Sequence, residues 1–141
     1  MTSFNQISRS VAIACFVVGT IPWVAQAQST ETWTDQVIGS YQSRIWSGSS
    51  VIPSTTEFIR STDGSVRGRY TMVEADGSVP GLLLNCQTVE TETLRCDWQD
   101  KYGTGTFEAS FSGDFSRFNG YWGTGDEEPW LRWSGLRSGH P

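Results

Sequence analysis

Hydrophobic positions recur at every second residue along much of this chain. Phe107, Ala109 and Phe111 alternate with Glu108 and Ser110, and Val66, Gly68, Tyr70 and Met72 alternate with Arg67, Arg69 and Thr71. A period of two puts alternate side chains on opposite faces of a strand, whereas a helix needs a period near 3.6. Both stretches read as half-buried strands. Turn residues cut the chain at regular intervals: Asp63-Gly64 and Asp76-Gly77 as type I′ hairpin dipeptides, then breaks near 47–55, 90–92, 102–103, 114 and 126–129. These breaks delimit about eight strands, placed at 36–46, 56–61, 65–74, 79–87, 93–99, 105–112, 117–123 and 130–136. Frequent glycine argues against helix elsewhere, apart from one turn near Thr30 to Asp35.

The run Asp63-Gly64-Ser65-Val66-Arg67-Gly68 recurs as Asp76-Gly77-Ser78-Val79-Pro80-Gly81, and a looser copy spans Asp114 to Trp122. Repeated hairpins imply an antiparallel meander. Pro80 has no N–H for a ladder and belongs at a strand start or a bulge. The polar stretch Ser47 to Thr55 is expected to be a mobile loop. Eight short strands leave two exposed edges unless the sheet closes, so the expected fold is all-β, a closed up-and-down β-barrel, with a β-sandwich as the alternative.

Residues 1–27 carry the three parts of an export signal: a polar start with Arg9, an uncharged apolar run from Val11 to Val24, and Ala25-Gln26-Ala27, small residues where signal peptidase reads them. Cleavage is expected between Ala27 and Gln28. A membrane span needs roughly 20 apolar residues, more than this run supplies, and Gly19 and Pro22 interrupt it, so no span is expected once the signal is removed. Cys15 lies inside the apolar run rather than after it, which argues against a lipoprotein. Residues 28–141 are then one domain of 114 residues with a modest core. The expected location is periplasmic or extracellular, with a signal of bacterial type.

Export changes how the remaining cysteines read. Cys86 and Cys96 become an even pair in an oxidising compartment, symmetric about Thr91, and a hairpin turning at Glu90 to Glu92 sets them opposite each other within reach of a disulfide. Their spacing is far from Cys-x-x-Cys and no histidine is near, so no metal site is expected. Residues 28–141 carry 9 basic and 15 acidic side chains, with Lys101 the single lysine. A phosphate-binding surface needs the opposite balance, which excludes nucleic acid and anionic membrane as partners.

Gly39-Ser40-Tyr41, the Asp-Gly hairpins followed by glycine and aromatic residues, and Trp133-Ser134-Gly135-Leu136-Arg137 together resemble the calycin superfamily of lipocalin-like and avidin-like barrels. The resemblance implies that Gly39 and Tyr41 pack at the barrel base beneath Arg137, with Tyr41 in place of the lipocalins' tryptophan. No biotin-contacting residue carries over from avidin-like proteins.

Candidate chemistry is sparse. The single histidine, His140, is one residue from the terminus, which excludes histidine triads and histidine-rich zinc sites. Asp97 and Asp100 flank Trp98, and Asp126-Glu127-Glu128 precedes Pro129-Trp130; both groups read foremost as solvated strand and turn residues. The six tryptophans outside the signal are the unusual feature. By strand parity Trp122 shares a face with Phe118 and Gly120, and Trp98 with Leu94 and Cys96, while Trp130 and Trp133 have opposite parity, so one of those two is exposed.

The candidate ligand-binding set is Tyr41, Tyr70, Trp98, Phe107 and Trp122 in the interior and Trp130 at the rim. No catalytic residue and no cofactor is assigned. The first functional reading is a non-catalytic exported protein that holds a small or apolar ligand in the barrel interior or mouth. The alternative is an envelope interaction or inhibitor protein using exposed aromatics. A more distant one is a carboxylate-based glycan hydrolase using two of Asp97, Asp100, Asp126, Glu127 and Glu128.

Overall fold

The computed structural model describes residues 19–20 and 32–139. The cleavage point at Ala27 and Gln28, the signal segment apart from residues 19–20, and His140 lie outside them. Eight strands follow one short helix, α1 (Trp33–Val37): β1 (Gly39–Trp46), β2 (Val51–Arg60), β3 (Val66–Glu74), β4 (Gly77–Glu90), β5 (Thr93–Asp100), β6 (Gly103–Phe111), β7 (Arg117–Thr124) and β8 (Leu131–Arg137). Each strand pairs antiparallel with the next, and β8 closes on β1 from Tyr41 opposite Arg137 to Ile45 opposite Trp133. The fold is a closed up-and-down barrel, as the alternation implies, and the β1–β8 ladder excludes a sandwich.

Three local features depart from expectation. First, the Ser47 to Thr55 loop is only four residues long, because β2 begins at Val51. Its inward positions Ser54 and Thr56 are polar, which hides the strand from a hydrophobicity pattern; they are buried, and the Ser43 hydroxyl lies 2.7 Å from Ser54 Oγ and 2.8 Å from Thr56 Oγ1. Second, neither Asp-Gly hairpin is type I′. Only the glycines, Gly64 and Gly77, have positive φ, and a type I′ turn needs it at both central residues. Asp63 stays in an ordinary conformation by accepting bonds from the Ser65 hydroxyl and N–H, which also hold its carboxyl below the usual range. Third, Pro80 lies inside β4 rather than at its start, where β4 runs past the end of β5 with β3 beside it.

The disulfide joins Cys86 and Cys96, with Cα atoms 4.1 Å apart. The ladder steps from Leu84–Asp97 to Gln87–Arg95, so Cys86 sits in a bulge rather than directly opposite its partner, and Asn85 takes φ 52° there. Among the described residues no helix is long and apolar enough to cross a membrane.

Large rings fit inside the barrel because they lie over glycines on the neighbouring strand. Tyr70 faces Gly81, Trp98 faces Gly105 and Phe118 faces Gly135 in register. A Cβ at any of these three would collide with the ring beside it. An eight-stranded barrel has just enough room for side chains, and the missing Cβ atoms make space for bulkier ones.

One end of the barrel is plugged. Tyr41, Phe58, Phe111 and Phe118 form a cluster with ring centroids 5.4–6.0 Å apart, mostly edge to face, and Phe115 and Trp33 stack beneath. Arg137 seals the cluster: its guanidinium carbon lies 4.8 Å from the Tyr41 ring centroid, and it donates to the carbonyls of Phe115, Ile38 and Gln36 and to the Tyr41 hydroxyl. Gly39 lies against the guanidinium, where a side chain would not fit. Phe115, with φ 56°, adopts a backbone costly for a non-glycine residue, and the ring packing and the Arg137 bond to its carbonyl hold it there.

Candidate functional site

The hairpins at 47–50, 75–76, 101–102 and 125–130 all lie at the opposite end, because every odd-numbered strand runs toward it. That end holds a solvent-connected cavity of about 320 Å³. Its floor is Trp133, 2% exposed, whose indole N–H donates to Thr56 Oγ1 at 3.1 Å. Tyr70 stands edge-on to that floor at 4.7 Å, and Trp98 and Trp122 meet edge to face at 5.5 Å in the wall. Ile45, Ile52 and Met72 complete the apolar lining, and Ser47, Glu74, Asp100, Tyr102 and Thr124 ring the mouth.

Each mouth carboxylate is held by a tyrosine. Tyr70 donates to Asp100 Oδ2 at 2.7 Å, and Tyr102 donates to Glu74 Oε2 at 2.6 Å. The Tyr102 backbone N–H donates to Asp100 Oδ1 at 2.8 Å, which fixes the β5–β6 turn. Burial pushes the Tyr70 phenol well above its ordinary range, and the bond to Asp100 and its charge push the same way. For Tyr102 the bond to Glu74 is the main cause of an upward shift. Both phenols are therefore neutral donors near neutral pH.

No family model, curated protein or solved structure matches the chain. The cavity must be read from its own residues.

Of the six candidates from the sequence, Tyr70, Trp98 and Trp122 line this cavity together. Phe107 is fully buried on the far side of the floor, 4.6 Å from the Trp133 ring. Tyr41 lies in the plug at the other end, where its hydroxyl donates to the Val37 carbonyl at 3.0 Å. Trp130 is 64% exposed, outside the wall, and its partner in parity, Trp133, is the buried one.

Sequence reasoning missed Ile45, Met72, Glu74, Asp100, Tyr102, Thr124 and Trp133 as lining residues. Parity carried part of the signal, since Glu74 continues the face of Tyr70 and Met72, and Asp100 continues that of Trp98. Asp100 is half-buried rather than a plain solvent-facing turn residue. Asp97, Asp126, Glu127 and Glu128 are exposed, and Asp97 and Asp126 line a groove on the outer wall, where Asn85 donates to Asp97 at 3.0 Å.

Proposed function

We propose that this chain is an exported, non-catalytic binding protein of calycin-like design that holds a small, largely apolar ligand in the open mouth of its barrel. The observation that carries it is the cavity of about 320 Å³ walled by Trp98, Trp122, Trp133, Tyr70, Ile45 and Met72. Ligand sites are typically concave, mostly apolar and furnished with a few polar groups, and they recur in the mouths of barrels. The Cys86–Cys96 bridge suits an oxidising compartment, periplasmic or extracellular. Arg137 over Tyr41 with Gly39 beneath is the arrangement that the calycin resemblance implies, and it supports that kinship.

The test is native mass spectrometry of residues 28–141 exported from a bacterial host. The expected result is extra mass that denaturation releases, and that Trp122→Ala and Tyr70→Ala abolish. Retention that survives both substitutions would place the ligand elsewhere.

One observation favours a second reading, capture of an envelope protein. Trp130, Tyr121 and Leu136 are exposed on β8, β7 and the loop between them. Under that reading Trp130→Ala abolishes partner capture and leaves the fold intact.

A further inference from the structure

The hydrogen-bond donors around the mouth are almost all committed to the protein. Trp98 Nε1 donates to the Gly123 carbonyl at 2.8 Å, Trp122 Nε1 to the Trp46 carbonyl at 3.0 Å and Trp133 Nε1 to Thr56. The Tyr70 and Tyr102 hydroxyls are given to Asp100 and Glu74, and the Ser47 hydroxyl to the Ser50 carbonyl at 3.0 Å. Thr124 alone among the lining residues keeps an uncommitted hydroxyl. What faces the cavity is therefore aromatic and aliphatic surface with few free donors, and two carboxylates.

Among the described residues, no arginine, lysine or histidine lines the cavity. Lys101 is the nearest cation: its ammonium lies 4.9 Å from the Tyr102 ring centroid and its charge acts on the Tyr102 hydroxyl, but it does not line the cavity. Glu74 Oε1 accepts no bond from the described residues, and each carboxylate oxygen has capacity for more than one donor. Aromatic faces attract cations through their quadrupoles, and the effect grows where water is excluded. A bound anion would meet two like charges and few free donors, which disfavours it in a partly buried site.

From this we infer that the ligand is an organic cation: an amine or quaternary ammonium group carrying an apolar body. The apolar part lies on Trp133 between Ile45 and Met72, and the cationic group sits at the mouth between Asp100 and Glu74, against the ring of Trp122. The inference rests on the binding reading above and sharpens it to a ligand class.

A matched series with one apolar body tests it: 3-phenylpropyl-trimethylammonium, 3-phenylpropanol and 3-phenylpropanoate, titrated calorimetrically into the oxidised chain 28–141. The ammonium compound is expected to bind about tenfold or more tighter than the alcohol, and the carboxylate more weakly than both. The double variant Glu74→Gln, Asp100→Asn keeps an acceptor for each tyrosine hydroxyl; in it the ammonium compound should lose most of its preference and bind about as weakly as the alcohol does to the same variant. Equal binding of all three compounds, tightest binding of the carboxylate, or a preference unaltered in the double variant would overturn the cation inference alone. Failure of all three to bind at millimolar concentration would overturn the binding reading along with it.

Discussion

The two ends of this barrel are built from the same residue types and do opposite things. At the plugged end four rings meet edge to face, a helical turn covers them, and Arg137 satisfies carbonyls that closure would otherwise strand. At the open end Trp98, Trp122, Trp133 and Tyr70 line the walls and floor of a void, and their polar atoms are tied to the backbone, a threonine or a carboxylate. Aromatic content alone does not separate a core from a site. The separation comes from what the ring atoms face: other rings at one end, open volume and charge at the other.

The largest expected effect breaks the comparison from the plugged side. Phe58→Ala removes the hub of that cluster and should cost about 3 to 5 kcal/mol in urea denaturation, enough to unfold many domains of this size. Trp122→Ala, half-exposed at the mouth, should cost far less stability and abolish ligand retention. Equal stability losses at both sites would mean that the open end is as tightly packed as the plug.

Next comes the bridge at mid-height of the β4–β5 hairpin. The closed loop separates its ends by 10 residues, and replacing both cysteines by alanine should lower stability by about 2 to 3 kcal/mol. Ligand affinity in the surviving folded fraction should change little, which calorimetry on the double alanine variant checks.

A smaller effect appears at high pH. Burial pushes the Tyr41 phenol up to about 12, against the lowering influence of the Arg137 charge and hydrogen bond. The folded state then holds this proton more tightly than the unfolded chain, whose tyrosines titrate near pH 10. The associated stability is complete below about pH 10 and lost as the pH rises toward about 12, with Tyr70 shifted in the same direction. Urea midpoints between pH 9 and 12 should fall, and less steeply in Tyr41→Phe; a flat wild-type profile would contradict the buried, neutral phenol.

The smallest effect belongs to the open end but outside its cavity. Trp130→Ala, on the outer surface, should change stability by no more than about 0.5 kcal/mol and leave ligand retention intact. A lost ligand in that variant would move the site to the outer wall.

Strand parity made the barrel legible, because a period of two survives around the four strand tryptophans, Trp46, Trp98, Trp122 and Trp133, even where the strand limits are blurred. It identified Trp98 and Trp122 as inward, and one of Trp130 and Trp133 as outward. Parity gives a face, however, not a height along the barrel axis, and so Tyr41 and Phe107 were grouped with a cavity that lies beyond the Trp133 floor. Height follows from ladder register, which the sequence does not carry: Tyr41 stands opposite Thr56 and Arg137, at the level of the plug. The start of β2 was hidden because Ser54 and Thr56 are polar and inward, satisfied by one another through Ser43. Glu74 does not stand out in the sequence, and Asp100 reads there as a solvated residue, for the same reason in reverse, since a charged strand end is ordinarily solvated and here is held by a tyrosine that cannot be paired with it from sequence.

Met72 offers the most direct test of the division between the two ends, being the single methionine outside residues 1–27 and part of the cavity wall. Carbon-13 methyl labelling of methionine and valine places Met72 at the open end and Val37 and Val66 near the plug in one spectrum. On titration with 3-phenylpropyl-trimethylammonium the Met72 methyl resonance should shift and saturate while those of Val37 and Val66 stay in place. An unmoved Met72 signal, or shifts confined to exposed Val73 and Val89 on the outer wall, would contradict a ligand site in the barrel mouth.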